Sequence, residues 1–261
     1  MIITATASFL LWDCAYAATT LLSNSFSNIG FWEGTNLCAV GETMVLSNFF
    51  QRAGFSTFRV EDNPSCTEYA FADGEGIIQL IGGDRLYALT NTGKVCRVSA
   101  SSLGAESEEV ATIHFATGAG DVKKGILVNE QWLVLLHDFF STAELPNRGA
   151  HVYSLSDGHA SFEIPQKGIV DIAAYQEGKC LLICRDRDST AIYEYNLATR
   201  AEREIAVLDG PYATAGVAYY AAANRIYVVR ADGIWSVQAD GRQTKEGFLA
   251  GQAYHRIHSP P

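Results

Sequence analysis

Residues 224–242 read NRIYVVRADGIWSVQADGR, two short runs that are each followed by an Asp-Gly pair. The runs RIYVV and GIWSVQ alternate apolar and polar side chains, which is typical of strands with one buried face. Asp-Gly pairs favour tight turns because both residues tolerate positive φ. The stretch therefore predicts a β-hairpin, and the fold depends on whether that hairpin recurs along the chain.

A short motif that closes such a strand recurs six times: an apolar residue, then Ser, Thr or a basic residue, then Asn or Asp. It occurs at 22–24, 46–48, 89–91, 136–138 and 184–186, and with one extra residue at 229–232. Successive copies are 24, 43, 47, 48 and 45 residues apart, so four of the five steps are close to one repeat length. The short first step marks an irregular first unit.

Each motif belongs to a unit with the same order of runs. An apolar run and a turn precede the motif strand, and a more polar third run, with a charged fourth run in several units, follows it. Four strands in a repeat of this length are typical of a propeller blade. We therefore predict an all-β fold, a β-propeller of about six four-stranded blades with an irregular first unit, in a single domain that spans 1–261.

Two other folds are the alternatives to a propeller. Solenoid repeats are usually shorter than this one, and a two-sheet sandwich does not require a steady repeat. Because open sheets leave edge strands exposed, we also expect the two ends of the chain to pair, with Gln252–Pro261 as the closing segment.

Two units resemble the repeat of the RCC1-like propeller family. They are NLCAVGETMVLSN at 36–48 and IIQLIGGDRLYALTNTGKVCRV at 77–98, where Gly83, 88–90 and 93–95 match the repeat, and 31–34 is similar to its Trp-Gly ending. The resemblance implies a scaffold or regulator that binds partner proteins, and guanine-nucleotide exchange is an activity of some members. The Gly-rich segment that follows Trp-Gly in the family is absent, and no exchange-factor residue has a matching position here.

Catalytic motifs are missing from the chain. It has no GxSxG elbow, HExxH, Walker A or complete GxGxxG, and its six His residues lack metal-ligand spacing. The runs predicted as innermost strands contain one carboxylate, Asp171. We therefore expect a non-catalytic protein with no catalytic residue, no cofactor and no metal site. An exchange factor, or a six-bladed hydrolase with a site in its central channel, is the alternative.

The charge and the N-terminal segment bear on partners and location. The net charge is −10, from 29 acidic and 19 basic residues, and this repels the phosphates of nucleic acid. We expect the partner to be another protein, with a basic surface. No apolar run approaches the ~18 residues that span a bilayer, so no membrane partner is predicted. Because the first basic residue is Arg52, we predict an intracellular protein, with secretion through an atypical signal as the alternative.

Two segments are predicted to bind the partner. The loop HDFFSTAELPNRG at 137–149 carries apolar side chains with no strand to join, and the turn after the fifth motif strand carries alternating charges. Exposed aromatic residues inside a polar rim are typical interface anchors. The predicted partner-binding residues are Phe139, Phe140, Leu145, Arg185, Asp186, Arg187 and Asp188. The alternatives are a loop that packs on its own blade and a solvated turn with exposed ion pairs.

The cysteines and a set of aromatic residues are predicted to pack in the core. The six cysteines fall in or beside apolar runs and show no CxxC spacing, so we expect buried free thiols. The aromatic residues of the last unit also favour packing over a ligand cage. They are Tyr212, Tyr219, Tyr220, Tyr227 and Trp235.

Overall fold

A computed structural model describes the repeated part of the chain. It describes the backbone of 37–40, 43–48, 54–59 and 67–70, and the backbone and most side chains of 76–82, 85–98, 107–115, 122–137, 149–165, 168–212 and 214–247. The first predicted unit, with its motif at 22–24, and the predicted closing segment 252–261 lie outside these residues.

Twenty strands form five four-stranded antiparallel sheets, each with its strands in chain order. The first comprises β1 (Leu37–Val40), β2 (Thr43–Asn48), β3 (Gly54–Arg59) and β4 (Thr67–Ala70), and the second β5 (Ile77–Ile81), β6 (Leu86–Thr90), β7 (Lys94–Val98) and β8 (Ser107–Thr112). The third comprises β9 (Val122–Val128), β10 (Trp132–His137), β11 (Ala150–Ser154) and β12 (Ala160–Ile164). The fourth comprises β13 (Ile169–Ala174), β14 (Lys179–Arg185), β15 (Ser189–Asn196) and β16 (Glu202–Asp209). The fifth comprises β17 (Thr214–Tyr220), β18 (Arg225–Arg230), β19 (Gly233–Gln238) and β20 (Gln243–Gly247).

The opening hairpin recurs as predicted. The runs RIYVV and GIWSVQ form β18 and β19, and each of the last five motif copies lies at or just after the end of the second strand of a sheet. The glycines of the two Asp-Gly pairs have positive φ, 138° at Gly233 and 85° at Gly241. Positive φ also occurs in two other hairpin turns, at Asn129 and Glu130 (55° and 52°) and at Asn224 (49°). Paired positive φ values match the twist of the strands that such a turn joins.

A bulge recurs in the first strand of four sheets. The strand register shifts by one residue after Ile77, Ile169 and Thr214, and between Val122 and Lys124 in the third sheet. Opposite these bulges stand equivalent residues of the second strands, which are 47, 47 and 46 residues apart: Thr90, His137, Cys184 and Arg230. The repeat is therefore more regular than the motif spacing, because the copy at 184–186 is displaced by one residue.

The chain divides into two compact units. The N-terminal unit comprises Met1–Asp138 and His151–Glu163, and the C-terminal unit comprises Phe139–Ala150 and Ile164–Pro261. In the N-terminal unit, β5 lies against β1 and β9, and in the C-terminal unit β13 lies against β17. First strands that lie side by side are typical of propeller blades. The fold class is therefore confirmed as an all-β β-propeller, with five blades in the described residues.

Each unit has its own apolar core between neighbouring sheets. In the N-terminal unit, Leu89 and Val95 of the second blade pack with Leu133, Leu135 and Tyr153 of the third. In the C-terminal unit, the core of the fourth and fifth blades includes Leu181, Ile183, Ile192, Ile226 and Val228. Each of these cores thus combines side chains of two neighbouring blades, as expected for a repeat that is not stable alone.

Helices contribute little to the part of the chain that is described. A 3-10 turn at Ala221–Ala223 joins β17 to β18. None of the described residues belongs to a helix long and apolar enough to cross a membrane.

Candidate interaction surface

The connection from the second to the third strand leaves every blade at the same end of its sheet, because the strands are antiparallel and in chain order. In the fourth blade, this connection carries the charged residues predicted to bind a partner. The Asp186 amide donates to the Ser189 carbonyl at 3.0 Å, and the Arg187 amide donates to Asp186 Oδ1 at 2.7 Å. Arg185, Asp186, Arg187 and Asp188 are all exposed, so the turn presents four charges to solvent.

The two cations of this turn differ from six other described cations of the C-terminal unit. Arg185 and Arg187 form no ion pair with any described residue, and their carboxylate neighbours in the turn do not neutralise them by contact. Six other described cations of the unit do form ion pairs: Lys179, Arg203, Arg225, Arg230, Arg242 and Lys245. Both guanidinium groups therefore keep their donors for solvent or a partner. Whether the turn binds a partner or is only solvated stays a prediction.

The connection between the fourth and fifth blades lies beside this turn. The Gly210 amide donates to the Asp188 carbonyl at 2.8 Å, which ties the connection to the turn. Two residues later, Tyr212 has 43% of its surface exposed. We define Arg185–Asp188 and 209–212 together as the charged-turn surface.

A buried arginine binds the backbone of the connection that forms part of the charged-turn surface. Arg230, at the end of β18, is fully buried, and its guanidinium donates to the carbonyls of Leu208 at 2.8 Å and Asp209 at 2.7 Å. The guanidinium carbon lies 5.1 Å from the centre of the Tyr212 ring and 5.5 Å from the Trp235 ring. Cations at these distances from aromatic rings are attracted by the ring faces.

The charge of Arg230 is balanced by Asp232. Arg230 Nε donates to Asp232 Oδ1 at 2.9 Å, and Nη2 donates to Oδ2 at 3.1 Å, which is a two-point contact. Burial alone would raise the pKa of the Asp232 carboxyl. The hydrogen bonds and charge of Arg230, the hydrogen bond from Trp235 and the charge of Lys245 together hold this pKa below its ordinary value. Asp232 is therefore ionised at neutral pH, and the buried guanidinium is paired.

The other predicted contact residues cannot be placed. Phe139, Phe140 and Leu145 lie outside the described residues, in the connection from β10 to β11. This is the third blade's connection from second to third strand, so in its own sheet it corresponds to the 186–188 turn of the fourth blade. The prediction that these three residues bind a partner stays a prediction.

The innermost carboxylate has a structural contact. Asp171, on β13, is buried, and its Oδ2 accepts the Val217 amide of β17 at 2.7 Å. It thus joins the first strands of two blades. No group of three or more His, Cys, Asp or Glu side chains among the described residues could hold a metal ion.

A pocket lies at the opposite end of the fifth blade from the charged-turn surface. Its volume is about 350 Å³, and it is lined by the β17–β18 and β19–β20 turns, including Asn224, Arg225, Gln238 and Asp240. Its lining side chains bond to one another or to near neighbours: Tyr219 donates to Asn224 at 2.9 Å, and Arg225 pairs with Glu246 at 3.2 Å. We therefore assign the pocket no ligand.

Sequence reasoning missed the roles of Tyr212 and Arg230. Tyr212 was expected to pack in the core with Tyr219, Tyr220, Tyr227 and Trp235, and those four are partly buried, whereas Tyr212 is exposed. The signal that distinguishes Tyr212 is its position in GPY, between strands rather than within one. A single Arg at the end of an apolar strand gives no comparable signal.

Three solved structures are similar in fold to the chain. A crystal structure of a nidogen/laminin complex has a TM-score of 0.53 at 16% identity, and the match covers 79% of this chain and 79% of that chain. A mitotic checkpoint complex has a TM-score of 0.51 at 12% identity, covering 82% and 65%. Hydrazine synthase from Kuenenia stuttgartiensis has a TM-score of 0.54 at 11% identity, covering 83% and 66%. The chain thus spans about two thirds of the last two chains.

No protein-family model and no curated protein sequence matches the chain. At these identities, the three similar structures support the fold alone, and they agree with the four-stranded blades described above.

Proposed function

We propose that this protein is a non-catalytic β-propeller scaffold that binds another protein through the charged-turn surface. The observation that carries the proposal is the pair of unpaired cations, Arg185 and Arg187, in a turn that is hydrogen-bonded to the connection carrying the exposed Tyr212. Unpaired charges around an exposed aromatic residue form the polar rim and anchor that protein interfaces use. Two of the three similar structures are of complexes, which supports an interaction role for this fold.

The partner is proposed to be a protein with a basic surface. The net charge of −10 favours such a partner over nucleic acid at long range. Arg185 and Arg187 then act at short range, where a guanidinium binds a partner carboxylate with two hydrogen bonds. We further propose that the protein acts inside the cell and needs no cofactor, metal or membrane.

The resemblance of 36–48 and 77–98 to RCC1-like repeats supports a finer version of the proposal, a regulator of that type. Residues 88–90 of the resembling stretch lie in β6 and are buried, and 94–95 begin β7. No observation on the site favours guanine-nucleotide exchange or a channel hydrolase over scaffolding. Asp171 supports scaffolding, because its carboxylate accepts a backbone amide from the neighbouring blade.

A comparison of charge-matched variants tests the proposal. The first variant is Arg185→Ala/Arg187→Ala, and the control is Arg200→Ala/Arg242→Ala, which removes two exposed cations at the other end of the same blades. Each protein is used to capture partners from an extract of its source cells, with the melting temperature measured in parallel. We expect the first variant to lose a partner that the wild type and the control both retain.

Two results would contradict the proposal. If the Arg185→Ala/Arg187→Ala variant stays folded and retains every partner, the charged-turn surface is not the binding site. A Phe139→Ala/Phe140→Ala variant then tests the β10–β11 connection in the same way. If the purified protein instead binds a divalent metal stoichiometrically and hydrolyses a lactone or phosphoester, the scaffold proposal is wrong.

A further inference from the structure

We infer that Tyr212 is the central contact residue of the charged-turn surface, and that buried Arg230 is the positioning residue that holds Tyr212 ready for the partner. The inference rests on the proposed function, and it adds which side chain anchors the partner and what keeps that side chain in place. It is carried by contacts of the described residues around the connection between the fourth and fifth blades.

Tyr212 is exceptional in its exposure. Among the described residues, the exposed large apolar side chains are Tyr212, at 43%, and Val110, at 39%, and Val110 lies on the fourth strand of another blade, in the other unit. Aromatic residues supply much contact area for little loss of conformational entropy, and they are enriched among the residues that dominate binding. A partner that covers this ring would remove its apolar surface from water, and this would favour binding.

The connection that carries Tyr212 is held by contacts other than strand pairing. The Gly210 amide bonds to the Asp188 carbonyl at 2.8 Å, and Gly210 has a φ of 100°, which favours glycine. A Cβ atom at Gly210 would lie 2.4 Å from the ring of Tyr212, so the ring packs directly on this glycine. One edge of the ring is thereby fixed by the backbone.

Arg230 fixes the rest of the connection. It binds the carbonyls of Leu208 and Asp209, the two residues that precede Gly210, and its guanidinium lies 5.1 Å from the centre of the Tyr212 ring. A planar guanidinium can make these contacts together with the two-point contact to Asp232, because its donors are fixed in one plane. A lysine keeps the charge but cannot make all of them. Arg230 therefore prepares the surface before binding, which reduces the entropy that binding loses.

A double-mutant cycle on Tyr212 and Arg230 tests the inference. The variants are Tyr212→Ala, Arg230→Lys and the double variant, and the probe is a partner protein captured by the wild type. We expect Tyr212→Ala to weaken binding at least about tenfold, as for a dominant interface residue. Arg230→Lys should speed dissociation by roughly threefold or more, and the double variant should bind no worse than Tyr212→Ala, because both changes act through one ring.

Amide hydrogen exchange provides a readout that does not depend on the partner. We expect Arg230→Lys to accelerate exchange at the Gly210 amide by about tenfold or more, while amides within β14 and β15 keep their protection. Tyr219→Ala is the control for loss of an aromatic ring, since Tyr219 lies near the opposite end of its blade and its hydroxyl binds Asn224. If Arg230→Lys fails to fold, Asp232→Asn replaces it, because that change weakens the same two-point contact.

The results separate this inference from the proposed function. If Tyr212→Ala and Arg185→Ala/Arg187→Ala both retain the partner, the charged-turn surface does not bind it and both ideas are wrong. If Arg185→Ala/Arg187→Ala loses the partner but Tyr212→Ala keeps it, the surface binds and Tyr212 is not its anchor. If Tyr212→Ala loses the partner while Arg230→Lys leaves both dissociation and Gly210 exchange unchanged, Arg230 has no positioning role.

Discussion

One position at the end of the second strand, opposite the bulge of the first strand, recurs in four blades. Thr90, His137, Cys184 and Arg230 are equivalent by register and all are buried, although three of them are polar. Each bonds or packs locally: Thr90 Oγ1 accepts the Lys94 amide at 3.1 Å, and the His137 ring lies 4.9 Å from that of His151. The sequence motif predicts a Ser, Thr or basic residue at 90, 137 and 230, but places its apolar residue at 184. It could not predict burial, because that depends on the neighbouring strands.

The first prediction concerns the thiols of Cys180 and Cys184. Both are buried and in no disulfide, as is Cys96, which confirms the prediction for these three, while Cys14, Cys38 and Cys66 have no described side chains. Burial raises the pKa of both the Cys180 and the Cys184 thiol from 9.0 to about 12. We expect alkylation of these thiols in native protein at about pH 8 to be slow, because the thiolate is the reactive form.

The same shifts determine how stability depends on pH. In the unfolded chain these thiols ionise near pH 9, whereas in the folded chain they stay protonated until about pH 12. The stability that this difference provides is complete below pH 9 and is lost as the pH rises towards 12. Alkylation followed by mass spectrometry, with urea-unfolded protein as the control, checks the reactivity. Rapid native labelling at both sites, or a disulfide, would contradict the prediction.

The second prediction concerns Asp171. Removing its carboxylate with Asp171→Ala leaves the buried Val217 amide without its acceptor, and we expect a loss of about 1–3 kcal/mol in the free energy of unfolding. Asp171→Asn keeps an oxygen at this position and should lose less. Urea unfolding of both variants measures the difference. Equal losses, or none, would show that the hydrogen bond between β13 and β17 does not stabilise the protein.

At the scale of strands, sequence reasoning succeeded where one face of a strand is apolar. The predicted runs RIYVV and GIWSVQ form β18 and β19, and β19 has the bounds of its run. The sequence pattern does not predict the outer strands β4, β12 and β20, because short polar edge strands have no clear period of two. The inner bulges were also missed, since a bulge is defined by the partner strand rather than by its own residues.

The third prediction tests close packing between the first strands of two blades. A Cβ atom at Gly125 on β9 would lie 3.1 Å from Leu135, 3.2 Å from Gln79 and 3.3 Å from Ile81, so an added side chain would force these neighbours to shift. We expect Gly125→Val to lower the free energy of unfolding by about 1–3 kcal/mol through overpacking. Gly76→Val is the control, because a Cβ atom there meets only the Asn91 side chain, at 3.6 Å.

Thermal or urea unfolding of the two valine variants measures this effect. Both variants replace a glycine with a valine, so the difference between them isolates the crowding around Gly125. A Gly125→Val protein as stable as the Gly76→Val protein would show that this contact tolerates added volume.

At the scale of the whole molecule, the chain forms two compact units whose segments alternate along the sequence. Residues 139–150 belong to the C-terminal unit, and 151–163 return to the N-terminal unit. The prediction of one domain over 1–261 stays a prediction. The repeat length predicted the blades, but it carries no information on how they are grouped, since every blade uses the same apolar pattern.

The single-domain prediction has a direct thermal test. If 1–261 behaves as one domain, unfolding should be one transition, and amides of β6 and β14, one in each unit, should lose their protection together. Calorimetry and hydrogen exchange along a urea series measure this. Two separate transitions, with β6 and β14 opening at different urea concentrations, would show that the units unfold independently.

The last prediction concerns the net charge and the partner. A net charge of −10 attracts a basic protein from a distance, and salt screens this attraction because the Debye length falls from about 10 Å at 0.1 M to about 3 Å at 1 M. We therefore expect association with the partner to slow by about tenfold or more between 0.05 M and 0.5 M salt, while dissociation changes little.

The charged-turn surface itself carries both signs, so Arg185→Ala/Arg187→Ala should change dissociation more than the salt dependence of association. Stopped-flow or surface-based kinetics measure both rates. Association that speeds up with salt would instead indicate an acidic partner, which must overcome the field of this protein and rely on Arg185 and Arg187 at contact.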